Sequence, residues 1–244
     1  MNNFEKILAD YDKEGLLIRG EVNEQELITF TFHSTSIEGS SLTYEEVYAL
    51  LNDKVAANKL FEHNQMNIDH ADAYRYALKR FKEDDILSMN FIRSVNAKVM
   101  NNTGKIYNTI LGSWNESKGE IRIGSVHIGS RYFPDHKKVP GMVEKMCKKF
   151  NEGKEKIETK KDILDLAFDV HYDFVTIHPC SDGNGRTARI LNNAILYRYD
   201  IPRMILEVEK KQEYYRALDA SQQRDDVTPF RNFMNEKYLA QIKA

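Results

Sequence analysis

The run from Ile177 to Leu191, IHPCSDGNGRTARIL, brings a histidine, an aspartate, two glycines and two arginines together at the junction of two helical patterns. A loop of Ser181, Asp182, Gly183, Asn184 and Gly185 that leads into a helix leaves backbone N–H groups aimed at one spot, and the helix dipole adds positive potential there. Arg186 and Arg189, three apart at the start of that helix, add guanidinium forks suited to phosphate oxygens. Asp182 alone would repel an anion, but a carboxylate beside phosphates is a usual ligand of Mg²⁺. His178 is the one side chain here whose ordinary pKa lets it take a proton near neutrality, so it suits activation of a hydroxyl against phosphorus. Each piece alone has an ordinary explanation: a histidine at a helix end, a DGNG turn, two solvated arginines. Their coincidence favours a nucleotide site with its metal.

The elements that hold this cluster are helices. Ile163, Leu166, Ala167, Val170, Phe174 and Ile177 recur at three- and four-residue steps, with Asp162 placed to cap the start. Pro179 disfavours helical geometry at His178, and a second pattern runs from Arg186 to about Asp200, before Pro202. Similar periodicity predicts helices over about 3–14, 24–34, 43–51, 56–81, 88–100, 138–150, 211–222 and 228–242. The stretch Glu120–Phe133, EIRIGSVHIGSRYF, instead alternates apolar residues around Gly124 and Gly129 and predicts a small β-hairpin. The polar stretch Asn151–Lys161 reads as a loop inside one domain. The expected class is mainly α, a helical bundle with one hairpin.

Composition narrows the partners. The 244 residues include 35 basic and 37 acidic side chains, a formal charge of −2, so no global excess draws the molecule to nucleic acid or to an anionic membrane. No apolar run approaches the roughly 20 residues of a membrane helix, and the first residues lack a secretory apolar stretch, which reads as a soluble cytoplasmic protein. Two cysteines, Cys147 and Cys180, make no disulfide framework. The string Gly183–Ala188 also fits a dinucleotide G-x-G-x-x-G/A pattern, but no strand ends at its first glycine, and no P-loop motif exists.

His178-Pro179-Cys180-Ser181-Asp182-Gly183-Asn184-Gly185-Arg186-Thr187-Ala188-Arg189 closely resembles the signature of the Fic family, H-P-F-x-D/E-G-N-G-R-x-x-R. Cys180 departs from the usual phenylalanine, a packing position in the family; repacking is expected there, with a reactive thiol as the other option. HSTSIEGSSLT, from His33 to Thr43, is similar to the family's inhibitory motif [S/T]-x-x-x-E-[G/N], with Ser34, Glu38 and Gly39 in its defined places. Its position before the core marks the subclass with an N-terminal inhibitory helix.

The resemblance spans about residues 30–235 and implies the Fic fold: a single domain over 1–244, an inhibitory segment over 25–52 and a core with flap and active-site loop over 86–200. It implies a protein adenylyltransferase that moves AMP from ATP, with Mg²⁺, to a Ser, Thr or Tyr hydroxyl of a target protein. His178 would be the base and Asp182 the metal ligand. ATP contacts would come from Ile128, Gly129, Ser130 and Arg131 at the far end of the flap. They would come also from Asp182, Gly183, Asn184, Gly185, Arg186, Thr187, Ala188 and Arg189, and from Tyr214, Tyr215 and Gln222 near the adenine. The hairpin would be the flap that pairs with the target's backbone. Glu38 would occupy Arg189 in place of the γ-phosphate, in a pair expected close to solvent. Removal of AMP with Glu38 orienting a water, transfer of phosphate or phosphocholine, and a non-enzymatic interaction module remain alternatives, as does assembly as a homodimer.

Overall fold

Short polar side chains set where the helices begin. The computed structural model describes Lys6, residues 22–128 and residues 131–242; the helix expected over 3–14 lies outside these, save for Lys6. Asn23 caps α1 (Glu24–Ile37), its side chain accepting from the Glu26 N–H at 2.7 Å. Thr43 and Glu46 form a capping box at α2 (Tyr44–Tyr48), which runs into a π-type turn over Ala49–Asp53. Then follow α3 (Phe61–Glu83), α4 (Met89–Val99), strands β1 (Ile106–Thr109) and β2 (Gly112–Asn115), and strands β3 (His127–Ile128) and β4 (Arg131–Tyr132). Five further elements close the order: α5 (Val139–Lys154), α6 (Lys160–Ile177), α7 (Asn184–Arg198), α8 (Lys211–Arg224) and α9 (Thr228–Gln241).

The mainly helical class holds, and two details of the expectation change. Thr159, not Asp162, caps α6; Asp162 is the third residue of a capping box and returns a bond to the Thr159 N–H at 2.8 Å. The polar stretch 151–161 is a loop only at 155–159, because α5 continues to Lys154 and α6 begins at Lys160.

The hairpin is also redistributed. Among the described residues of 120–133 only His127–Ile128 and Arg131–Tyr132 pair as strands, while an antiparallel ribbon joins β1 to β2 in the register Ile106 to Asn115 and Thr109 to Gly112. Residues 121–123 form no strand; the Arg122 N–H bonds Pro179 O at 3.1 Å, and its buried side chain lies among main-chain carbonyls.

Helix α7 is the axis of the bundle. It is buried on every side from Arg186 to Leu196 and packs against α6, α3 and α4. The core around it draws on Ile163, Leu164, Phe168 and Phe174 of α6, Tyr74, Leu78 and Phe81 of α3, and Ile92, Val95 and Val99 of α4.

Helix α1 belongs to the same core. Leu27, Ile28, Phe30 and Ile37 are buried, and Arg203 binds Glu26 through both carboxylate oxygens, with the Tyr74 hydroxyl donating to Glu26 at 3.1 Å. Its inner face carries a polar layer onto α3: Thr31 bonds His70, and Thr35 donates to Asn67 at 2.7 Å. A helix pinned at this many points carries its last residues to a fixed place. Among the described residues no helix is long and apolar enough to cross a membrane.

Candidate active site

The turn from α6 into α7 is shaped by its own side chains. Pro179 stops α6, and His178 ends it in the left-handed conformation, φ 51° and ψ 61°, its N–H still bonded to Phe174 O at 2.9 Å. Asn184 closes the loop, accepting from the Cys180 N–H at 3.0 Å and donating to Cys180 O at 2.8 Å. That amide is spent on the loop itself and not on a ligand. Gly183 sits at φ 76°, where a Cβ would meet Met100 Sδ at 2.8 Å, so both its conformation and its crowding demand glycine.

Helix α7 therefore starts without a side-chain cap. Thr187 is the first residue to bond back, to Gly183 O at 2.9 Å, which leaves the first-turn amides of Asn184, Gly185 and Arg186 as outward donors. The side chains of Thr187 and Ala188 face the bundle, Thr187 accepting from Asn96 Nδ2 at 3.1 Å. They hold the helix rather than line the cleft.

The two arginines are not solvated. Arg186 is buried against Met100 and reaches Asp182 Oδ1 at 3.3 Å, and its Nε and Nη1 have no hydrogen-bond partner among the described residues. Arg189, 4% exposed, donates from Nε to Ser34 Oγ and from Nη2 to Ser34 O, each at 2.9 Å, and from Nη2 to Glu38 Oε1 at 2.6 Å. Its Nη1 has no hydrogen-bond partner among the described residues. Burial opposes its charge, but the Glu38 carboxylate together with Tyr214 and Tyr215 outweighs this, and its pKa is raised.

The sequence expectation placed this pair close to solvent; the structure corrects it, because α1 covers the guanidinium and leaves the Glu38 side chain only 26% exposed. Gly39 follows at φ 100°, where glycine turns the chain away from the site. A side chain at Gly185 would collide with Glu38 Oε1, so the bare helix start is what admits the carboxylate.

His178, Glu38, Gly185, Tyr214, Tyr215 and Gln222 line one cleft of about 100 Å³. That is well below the roughly 300–1,000 Å³ of a site that encloses a drug-sized ligand. A cavity of about 530 Å³ beside Leu78, Lys82 and Tyr197 holds none of the predicted site residues. Tyr214 is buried and its hydroxyl pairs with His171 Nε2 at 2.9 Å, while Tyr215 borders the opening. Burial, then the Glu38 charge, pushes Tyr215 up to about 12. Gln222 donates to Thr176 Oγ1 at 2.8 Å and keeps a buried amide oxygen with no partner among the described residues.

Asp182 stands at the loop's outer edge with its side chain 64% exposed. Cys180, in contrast, is buried, and burial raises its thiol to about 12, which removes the option of a reactive sulfur beside the site.

Of the predicted flap contacts, Gly129 and Ser130 lie outside the described residues. Ile128 and Arg131 occupy the two paired strands.

Several participants carried no sequence signal. Trp114 Nε1 braces the loop by donating to Ser181 Oγ at 2.7 Å, Phe133 stacks on the His178 ring at 3.9 Å, and Arg122 donates to His178 O at 2.8 Å. Trp114, the sole tryptophan, and Arg122, the one charge inside an apolar alternation, were the available hints.

The family comparison covers this region: residues 86–196 match the Fic/DOC family model. Over these residues, less than half of the chain, the protein is similar to the Fic/DOC family. A protein adenylyltransferase fic-1 of Caenorhabditis elegans is 29% identical over 88% of this chain and 40% of its own length. A protein adenylyltransferase Fic of Nematostella vectensis is 30% identical over 83% of this chain and 45% of its own. The chain thus spans less than half the length of these curated relatives. A Fic domain containing signaling protein from Bacteroides thetaiotaomicron shares the fold over 99% of this chain and 95% of its own, with a TM-score of 0.82 at 21% identity. The matched segment includes the His178 loop, strands β3 and β4 and the buried start of α7.

Proposed function

We propose that the chain is a protein adenylyltransferase that moves AMP from ATP to a hydroxyl of a target protein. Residues 86–200 would form its catalytic core and 25–52 its inhibitory segment, within one domain. The observation that carries this reading is the set of buried donors on Arg186 and Arg189 that have no partner among the described residues, beside the uncapped start of α7, whose Gly185 lines one cleft with His178. Such donors are costly unless water or an anion satisfies them, and a guanidinium edge suits a phosphate oxygen. The adenylyltransferase names of the relatives point the same way.

In this reading His178 takes the proton of a Ser, Thr or Tyr hydroxyl as its oxygen attacks the α-phosphorus, and pyrophosphate leaves. The first-turn amides of α7 and the two arginines stabilise charge on the phosphate oxygens during displacement. The Gln222 amide oxygen, without a partner among the described residues, suits the amino group of an adenine lying beside Tyr214 and Tyr215 in the cleft. Asp182, exposed and next to Arg186, fits a Mg²⁺ site of one carboxylate completed by waters and phosphates. When bound, that ion supplies a positive charge that neutralises the phosphates. The β3–β4 flap aligns the target strand by main-chain pairing.

Glu38 holds the enzyme back, since it occupies a guanidinium edge and puts a negative charge where a phosphate would sit. Its place in the same cleft as His178 also suits it to orient a water for removal of AMP.

The test uses the Glu38→Gly variant with ATP labelled at the α- or γ-phosphate and a mass measurement on the modified protein. Adenylyl transfer gives adducts from α-label alone. Label from the γ-position alone makes this a phosphotransferase, an adduct from CDP-choline alone a phosphocholine transferase, and no adduct from any of them an interaction module. Loss of AMP from a pre-modified target, faster with wild type than with the variant, assigns the reverse reaction to Glu38.

A further inference from the structure

Arg122 is 1% exposed, and its guanidinium is engaged by main-chain carbonyls. Nε donates to His178 O at 2.8 Å, Nη1 to Gly124 O at 2.8 Å and Nη2 to Pro134 O at 2.7 Å, while its own N–H donates to Pro179 O at 3.1 Å. A buried cation is expensive unless dipoles compensate it, and the planar fork of arginine spreads its donors over three carbonyls in fixed directions. These carbonyls are not a random set. Gly124 and Pro134 are the two roots of the β3–β4 flap, which the Phe133 N–H closes onto Val126 O at 3.2 Å. The third belongs to the histidine on the active-site loop.

The state of His178 shows what this joint accomplishes. Its left-handed backbone is uncommon for a residue with a side chain, and a following proline biases it toward an extended conformation instead. Left to those preferences, the carbonyl and the imidazole would both turn away. Such a conformation persists where the surroundings over-determine it. Here Arg122 holds the main chain on both sides of the His178–Pro179 bond, and Phe133, from the flap root itself, stacks on the ring with planes 20° apart.

We propose that Arg122 is a positioning residue that locks the imidazole of His178 to the roots of the flap, so that the segment that seats the target and the group that takes its proton move as one body. The proposal rests on the reading of His178 as the base. It separates alignment of the target hydroxyl, which passes through Arg122, from binding of ATP, which depends on α7 and α8.

The experiment starts from Glu38→Gly as the released parent and adds Arg122→Gln or Arg122→Lys. A misplacement of about 1 Å costs about 10²-fold in rate, so kcat for target labelling should fall by about 10–100-fold in Arg122→Gln, with KM for ATP within about twofold. Arg122→Lys should recover part of the loss, because an ammonium keeps the charge without the fork. Hydrogen exchange at the Phe133 amide should quicken in both variants. A folded Arg122→Gln with parental kcat, or one whose loss lies wholly in KM for ATP, overturns the proposal. A second measurement needs neither variant nor activity: in the ¹⁵N-labelled wild-type protein the Arg122 Nε–H should be protected from solvent exchange, and rapid exchange overturns the proposal even where the variants do not fold. If Glu38→Gly labels nothing, the functional reading fails, while Nε–H protection still decides whether Arg122 holds the loop.

Discussion

Glu38 and Arg189, 151 positions apart in the chain, meet as a carboxylate and a guanidinium at 2.6 Å across the start of α7. Glu38 sits at the C-terminal cap of α1, where the helix dipole disfavours a negative charge, so the arginine is what makes that position tolerable. The contact therefore stabilises the fold and closes the candidate phosphate site at once.

Glu38→Gly should consequently release activity at a measurable structural cost. Arg189 keeps its two bonds to Ser34 but loses its only carboxylate partner among the described residues. Breaking a fully buried pair costs about 3–5 kcal/mol and an exposed one about 0–1 kcal/mol, so this part-exposed pair should lose about 1–3 kcal/mol in urea unfolding. ATP should then raise the melting temperature of the variant more than that of wild type, because ligand that binds only the folded state stabilises it by mass action. Equal ATP shifts in both proteins would leave Glu38 no part in closing the site.

The helices and the loop chemistry were legible in the sequence because both are local. Periodicity marks α6 and α7, and the contiguous run His178–Arg189 carries its donors in one turn. Glu38 became legible only through its likeness to a family motif, since no spacing rule links α1 to α7. Arg122 and Trp114 were out of reach for a different reason: their partners are a main-chain carbonyl and a serine hydroxyl, which any sequence offers everywhere. The β1–β2 ribbon was missed because only one of its eight residues, Trp114, is buried, so its strands show no apolar alternation.

His178→Ala, made in the released variant, should lower transfer by about 10²–10⁴-fold, the usual worth of a positioned general base. ATP affinity should stay within about twofold, since the unpartnered donors belong to Arg186, Arg189 and the first turn of α7. Isothermal titration alongside single-turnover labelling separates the two. Parental labelling by the alanine variant would remove His178 from the chemistry.

Asp182→Asn should raise the Mg²⁺ concentration needed for half-maximal activity and lower the maximal rate. The substitution is mild for the loop, because an amide oxygen still accepts from the Gly183 N–H and from Arg186. A Mg²⁺ titration curve unchanged from the parent would place the metal elsewhere.

Acid should destabilise the fold through His171, which is buried in α6 with Nε2 on the Tyr214 hydroxyl and lies close enough to feel the charge of Arg189. Burial, and then that positive charge, pulls its pKa from 6.5 down to about 3. Above pH 6.5 the ring is neutral in both states and contributes no pH dependence. As pH falls below 6.5 the unfolded chain takes up a proton that the folded one refuses, so stability declines until the folded ring itself protonates near pH 3. One proton corresponds to a slope of about 1.4 kcal/mol per pH unit. His171→Gln keeps a hydrogen-bonding group near Tyr214 but cannot titrate, and the buried His70 contributes alike to both proteins. The difference in unfolding free energy, wild type minus variant, should therefore be flat above pH 7 and fall by about 1.4 kcal/mol per unit between about pH 6 and pH 4. Urea melts across that range measure it. A difference that stays constant would mean that His171 accepts a proton in the folded state, and that the Tyr214 side of the cleft is open to water.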